Sequence, residues 1–246
     1  MCQSLRIVCL SVALALSGSM LSVSASELPA GTYLVGKDKV YIDPAKFDST
    51  RYMSPPPTGL EAEEDMLAVV RWQALRSATM AAQTVLDSEQ SVFVFADVVG
   101  AQFTAANFPK ARKFFNAVYR TESHLNKQGK ERWARLRPPG QNPDIKPVSR
   151  FANQGSYPSG HATFGWLTGI VLADMIPEKR DEIMKRARAF GLNRIIGGAH
   201  FPSDVEAGRI LAVACAVEMR DNPAFLADFA EVKREVRAGL GLPELR

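Results

Sequence analysis

Two of the chain's three histidines, three cations and one carboxylate fall in three short motifs. Such residue types together can hold a tetrahedral anion and attack its central atom. Lys130 is followed by Arg137-Pro138, then comes Pro158-Ser159-Gly160-His161, and Arg194, His200 and Asp204 complete the set. A site for a phosphate ester needs convergent donors, positive charge and a nucleophile in line with the leaving oxygen. Arg137 and Arg194 each offer a planar fork to phosphoryl oxygens, and Lys130 adds a compact charge. The step from Lys130 to Arg137 is about two turns of a continuous helix, which would aim both side chains the same way.

Ser159-Gly160 reads as a helix opening, with unpaired backbone N–H groups and the positive end of the helix dipole. Gly160 has no Cβ to hold an anion off. His161 follows directly and can donate a proton to a leaving alkoxide. His200 precedes Pro202, at a loop-to-helix junction. Asp204, one turn on, can accept the N–H of one imidazole nitrogen and leave the other free to attack. Each motif alone is weak, because charged helix faces often place Lys and Arg at this spacing and Pro-Ser-Gly-His can be only a cap. In order within one chain they reinforce one another. The third histidine, His124, stands with Glu122 and Asn126 on a polar stretch that reads as solvated surface.

The elements that must position these residues are mostly helical. Residues 28–54 read as extended and irregular, and Pro55-Pro56-Pro57 as a stiff spacer. Glu61, Glu63, Glu64 and Asp65 give a helix start the charge it favours. Met66, Val69, Val70, Leu75, Ala78 and Ala82 continue at helical spacing. Residues 91–99 are read as helix for want of partner strands, and 109–125 as a further helix. Four prolines and a glycine make 137–147 a loop. Ser159 caps a helix running to Ile176. Pro177 opens one ending near Gly191, Pro202 one reaching about Arg220, and Asn222-Pro223 the last, ending near Gly239. The expected fold is an all-α, compact single-domain helical bundle.

With 246 residues, 46% of them hydrophobic, the chain can bury one core. A net charge of +4 gives no broad basic face that would call for nucleic acid. Residues 1–25 read as a cleaved export signal: Arg6, an apolar run from Ile7 to Leu16, and a small-x-small end at Val23-Ser24-Ala25. Residues 26–246 are then the mature domain. Cleavage removes Cys2 and Cys9, and the remaining Cys215 lies in an apolar run as a buried structural thiol. No later segment is long and apolar enough to span a bilayer, so the mature protein is expected to be soluble, without stable membrane insertion.

The motif set resembles the type 2 phosphatidic acid phosphatase superfamily and, within it, the bacterial class A nonspecific acid phosphatases. The likeness extends to the Pro-rich segment at Pro55, to Gly155-Ser156-Tyr157, to Gly197-Gly198-Ala199 and to Asn222-Pro223-Ala224-Phe225. It implies the all-α fold shared with vanadium-dependent haloperoxidases, a periplasmic location, no cofactor or metal, an oligomer, and hydrolysis of small phosphate monoesters. It also implies roles. Lys130, Arg137, Ser159, Gly160 and Arg194 would bind phosphate, His200 would become phosphohistidine, Asp204 would orient it, and His161 would be the general acid. Transfer of the phosphoryl group to another alcohol would be a further activity of the same intermediate. One departure is that Asn193 stands where the family has Ser before the third-motif arginine, which implies tuning rather than loss.

Three other readings fit parts of the pattern. In a haloperoxidase the same residues would hold vanadate, with His200 as its axial ligand, but the chain's size and whole-length likeness oppose this. A lipid phosphate phosphatase would usually have spanning helices. A non-catalytic phosphate binder would have lost His161 or His200. Because all the stabilising charge comes from Lys130, Arg137 and Arg194, activity is expected to be metal-independent. Dialysis against a chelator should leave the rate unchanged, and a collapse reversed by added Mg²⁺ or Zn²⁺ would sink the idea.

Overall fold

The structure, a computed structural model, describes residues 29–149, 151 and 155–245. The expected export signal at residues 1–25 lies outside them. A short antiparallel hairpin, β1 (Tyr33–Val35) and β2 (Asp38–Val40), replaces part of the irregular stretch read from the sequence. Three-residue strands are too short for alternation to register.

Two helices, α1 (Leu60–Leu75) and α2 (Ala78–Leu86), stand where the apolar spacing predicts one. Arg76 leaves the helical conformation, and the Ser77 hydroxyl caps α2 by accepting from the Met80 N–H at 3.2 Å. Residues 91–99 are helical as read, a 3₁₀ turn (Val92–Phe95) running into α3 (Ala96–Val99). Next comes α4 (Pro109–Trp133), which outlasts its expected end at Leu125 and carries Lys130 in its last turn. It ends because Ala134 adopts a left-handed conformation, φ 43°. Arg137 therefore lies off this helix and does not share a helical face with Lys130, contrary to the two-turn spacing. A single turn, α5 (Pro138–Gln141), interrupts the expected loop.

The Ser159 cap holds, with its hydroxyl accepting from the Ala162 N–H at 3.3 Å at the head of α6 (Gly160–Met175). A 3₁₀ turn at Pro177–Lys179 leads into α7 (Arg180–Ile196), which runs past Gly191 to include Arg194. Packing carries the helix through a residue that local propensity reads as a stop. The chain closes with α8 (Pro202–Arg220) and α9 (Pro223–Gly239), opened by Pro202 and Asn222 as read.

Most of α6 is buried and none of its residues is exposed, so its sequence is apolar all round rather than striped. It packs mainly on α7 and α8, and then on α4. Leu167, Leu172 and Met175 meet Leu211, Met219 and Phe108 in one core. Cys215 is fully buried there, and burial pushes its thiol well up, as expected of a structural thiol. A close approach brings Gly208 of α8 to the start of α6. A Cβ on Gly208 would sit 2.6 Å from the Ser159 carbonyl oxygen and 2.9 Å from the Ala162 Cβ. Gly208→Ala should therefore push α8 off the α6 cap and cost roughly 1–3 kcal/mol. Urea denaturation checks this, and an unchanged midpoint would contradict the tight crossing.

Candidate active site

All three motifs converge on one cavity of about 450 Å³, lined by Lys130, Arg137, Gly160, His161 and His200. Four segments supply the groups, and each is placed by an identifiable local feature. The last turn of α4 brings Lys130, whose Nζ donates to the carbonyls of Gly155 (2.6 Å) and Pro158 (2.8 Å). Those bonds fasten the segment before α6 to α4. Arg137 immediately precedes the Pro138 that opens α5, and its guanidinium reaches back over the third motif. The N–H groups of Gly160 and His161 head α6, where no preceding turn can accept them.

A turn through Gly197-Gly198 closes α7, and the Arg194 carbonyl accepts from the N–H groups of Ala199 (2.9 Å) and His200 (3.3 Å). This is why Arg194 and His200 meet despite their separation in sequence. His200 is 1% exposed and Arg194 3%. Nε and Nη1 of Arg194 are buried without a hydrogen-bond partner among the described residues.

Hydrogen bonding fixes the state of His200. One guanidinium nitrogen of Arg137 lies 2.8 Å from Nε2 and also donates to the Ala199 carbonyl at 3.0 Å. A guanidinium only donates, so Nε2 must be the acceptor and carry the lone pair. The proton then sits on Nδ1, which faces Oδ2 of Asp204 at 3.3 Å. Burial and the charges of Arg137, Lys130 and Arg194 hold the imidazole well below its ordinary pKa. Asp204 is the third residue of α8 and accepts from the Phe201 N–H at 2.8 Å, half of a capping box. Burial pushes its carboxyl up to about 6, against the opposing pull of Arg135.

His161 is held differently. The Ser88 carbonyl takes its Nε2–H at 3.1 Å, which leaves Nδ1 as the titrating nitrogen. Burial, with Arg194, Arg137 and Lys130, lowers it to about 3. Burial and the Arg137 charge lower Lys130 to about 8 and Arg194 to about 10. The charges of three cations thus bear on both histidines, an electrostatic setting suited to an anion.

The sequence reading missed several participants. Arg135 is buried between Asp204 (2.7 Å) and Asp65 of α1 (2.9 Å), with its guanidinium 4.1 Å from the centre of the Phe201 ring. The Ser156 hydroxyl donates to Asp204 at 2.5 Å. Asp65 reads as a helix-start charge but is buried at this junction and also accepts from Ser203. The available signal is Arg135 itself, two residues before Arg137 in a basic run. Glu122 and Asn126, read as solvated, are buried at 1% and 2% exposure. They fall on the face of α4 that also carries Val118 and Leu125. His124 is half-buried and pairs with Asp38 at 3.2 Å. Asn193 donates to Asp87 at 2.6 Å, in a network with Arg186 that joins α2 to α7. Among the described residues, no three of His, Cys, Asp and Glu group as metal ligands.

Residues 115–223, which hold every one of these motifs, match the PAP2 superfamily, and the chain belongs to it. The acid phosphatase of Zymomonas mobilis is 30% identical over 239 residues, covering 89% of this chain and 84% of that protein. The non-specific acid phosphatase of Providencia stuartii is 27% identical over 233 residues, 89% of this chain and 94% of the relative. Among solved structures, the transmembrane PAP2-type phosphatidylglycerolphosphate phosphatase of Bacillus subtilis shares the fold. Its TM-score is 0.50 at 20% identity, covering 67% of this chain and 86% of that one. Among the described residues of this chain, no helix is long and apolar enough to cross a membrane.

The Arg135 junction gives a test with a definite sign. Asp204 has a folded-state pKa above its ordinary value, so it lowers stability as pH rises through that range, and Arg135 limits the loss. Arg135→Met keeps the packing on Phe201 but leaves a buried carboxylate, at about 3–5 kcal/mol. The loss should be larger at pH 7.5 than at pH 4.5 in urea melts. An equal loss at both would remove the electrostatic account.

Proposed function

We propose that this chain is an exported, metal-independent acid phosphatase that hydrolyses phosphate monoesters through a phosphohistidine on His200. The observation that carries the reading is His200 at the cavity wall, its Nε2 kept unprotonated by the Arg137 N–H it accepts and its Nδ1–H directed toward Asp204. The acid phosphatase names of relatives matching most of the chain support the same activity. Export to the periplasm rests on the apolar run and small-residue end of residues 1–25.

In this scheme Lys130, Arg137, Arg194, the Ser159 hydroxyl and the N–H groups at the head of α6 hold the phosphoryl oxygens. The ester's negative charge raises the pKa of His161, so its imidazole takes up a proton as substrate binds. Arg137 moves its N–H from Nε2 of His200 to a phosphoryl oxygen, the freed Nε2 attacks phosphorus, the bond to the alcohol oxygen breaks, and His161 gives its proton to that oxygen. Asp204 stabilises the positive charge that develops on the His200 ring. Water then attacks the phosphohistidine, His161 takes its proton, the P–N bond breaks and phosphate leaves. An alcohol in place of water would give phosphotransfer. Neighbouring cations keep the working protonation of His161 on the acid side of neutrality.

Acid-quench trapping with a labelled aryl phosphate separates the two histidines. His200→Ala should yield no labelled protein with any substrate. His161→Ala should still be labelled, because a phenolate leaves without help while breakdown of the intermediate slows. Its loss of kcat should be roughly 10²–10⁴-fold for an alkyl phosphate and far smaller for the aryl one. Label on the His200→Ala protein would falsify the assignment.

A further inference from the structure

Two buried polar side chains at the cavity, Glu122 and Asn126, take no part in the phosphate chemistry. Glu122, Asn126 and Lys130 are spaced one turn apart on a single face of α4 and all line it. The Asn126 amide nitrogen donates to the Thr163 hydroxyl at 2.9 Å, which fixes the side chain. A Cβ on Gly160 would lie 3.6 Å from Oδ1 of Asn126, so the oxygen stands beside the cradle at the head of α6. Both Asn126 Oδ1 and Glu122 Oε2 are buried without a hydrogen-bond partner among the described residues. Unsatisfied buried acceptors are costly and call for an explanation.

An acceptor next to an anion site does not serve the anion. It suits a donor on whatever the anion is attached to. Along the α4 axis, Asn126 lies about 6 Å and Glu122 about 12 Å from Lys130. A leaving group running from the phosphate along this face passes Asn126 first and Glu122 next. Burial pushes the Glu122 carboxyl well up, and Lys130 only partly opposes it. A neutral carboxyl both donates and accepts, as a hydroxyl does, whereas an ammonium group would need the ionised form. A cavity of about 450 Å³ has room for a phosphate and a group of sugar size.

We infer that Glu122, with Asn126 beside it, is a specificity-determining residue that hydrogen-bonds hydroxyls on the alcohol part of the ester, favouring phosphates of sugars and polyols. This preference rests on the phosphatase reading above and names its substrate class.

Three six-carbon esters form a matched set for the test: sorbitol 6-phosphate, hexyl phosphate and 6-aminohexyl phosphate. The wild type should show the highest kcat/KM on sorbitol 6-phosphate. Glu122→Leu should lower that value roughly 10- to 100-fold, leave hexyl phosphate within about twofold, and leave inhibition by inorganic phosphate unchanged. Glu122→Gln keeps a donor and an acceptor and should retain most of the preference. A wild type that does not discriminate sorbitol 6-phosphate from hexyl phosphate overturns the inference without any variant. So does an equal loss on both esters in Glu122→Leu, or a loss confined to 6-aminohexyl phosphate. A wild type inactive on all three and on an aryl phosphate would instead sink the phosphatase reading, and this inference with it.

Discussion

Mutual repulsion among Lys130, Arg137 and Arg194 is the constraint around which the site is organised. Burial makes each hold its proton less tightly, and the charge of Arg137 lowers both Lys130 and Arg194 further. Nothing about the fold's own stability favours such an arrangement. Asp204 is the carboxylate whose field reaches Lys130 and Arg137, yet it is already engaged by Arg135, Ser156 and the head of α8. An anion entering the cavity relieves strain that folding alone leaves in place, so part of its binding free energy is built in beforehand.

That arrangement requires stiff supports, and the helices supply them. The α6 helix is buried on all sides, and its N-terminus is clamped where Gly208 lets α8 touch the Ser159 carbonyl. The Ser159 N–H donates to the Asp204 carbonyl at 2.9 Å, which ties the second motif directly to the third. Lys130 fastens the approach to α6 from the α4 side. Arg135 joins α1 and α8 beneath His200. The same bonds that place the site's side chains therefore hold the helices together.

Signals in the sequence are legible where the physics is local. Ser159, Pro202 and Asn222 mark helix starts because capping involves only three or four neighbouring residues. The pairing of His200 with Asp204 follows from one helical turn. Two failures share a cause. The reach from Lys130 to Arg137 assumes a continuous helix, but Ala134 ends it through a left-handed conformation that an alanine does not advertise. Arg135, Ser156 and Asp65 meet only in the folded chain, from segments far apart in sequence, and no spacing rule connects them. Glu122 and Asn126 are a different case. Their polarity argues for solvent, while their register with Val118 and Leu125 points inward, and register prevails.

The contact between Arg137 and Nε2 of His200 also bears on the medium in which the protein can work. A free imidazole is half protonated near pH 6.5 and almost wholly so about two units lower. In that state it has no lone pair to attack with. Here a fixed positive charge lies against the one nitrogen that would take up the proton, inside a dry wall. Acid surroundings that would silence an ordinary histidine leave this one a base. The acidity at which this imidazole charges is then set, beyond its burial, by the guanidinium's hold on that lone pair.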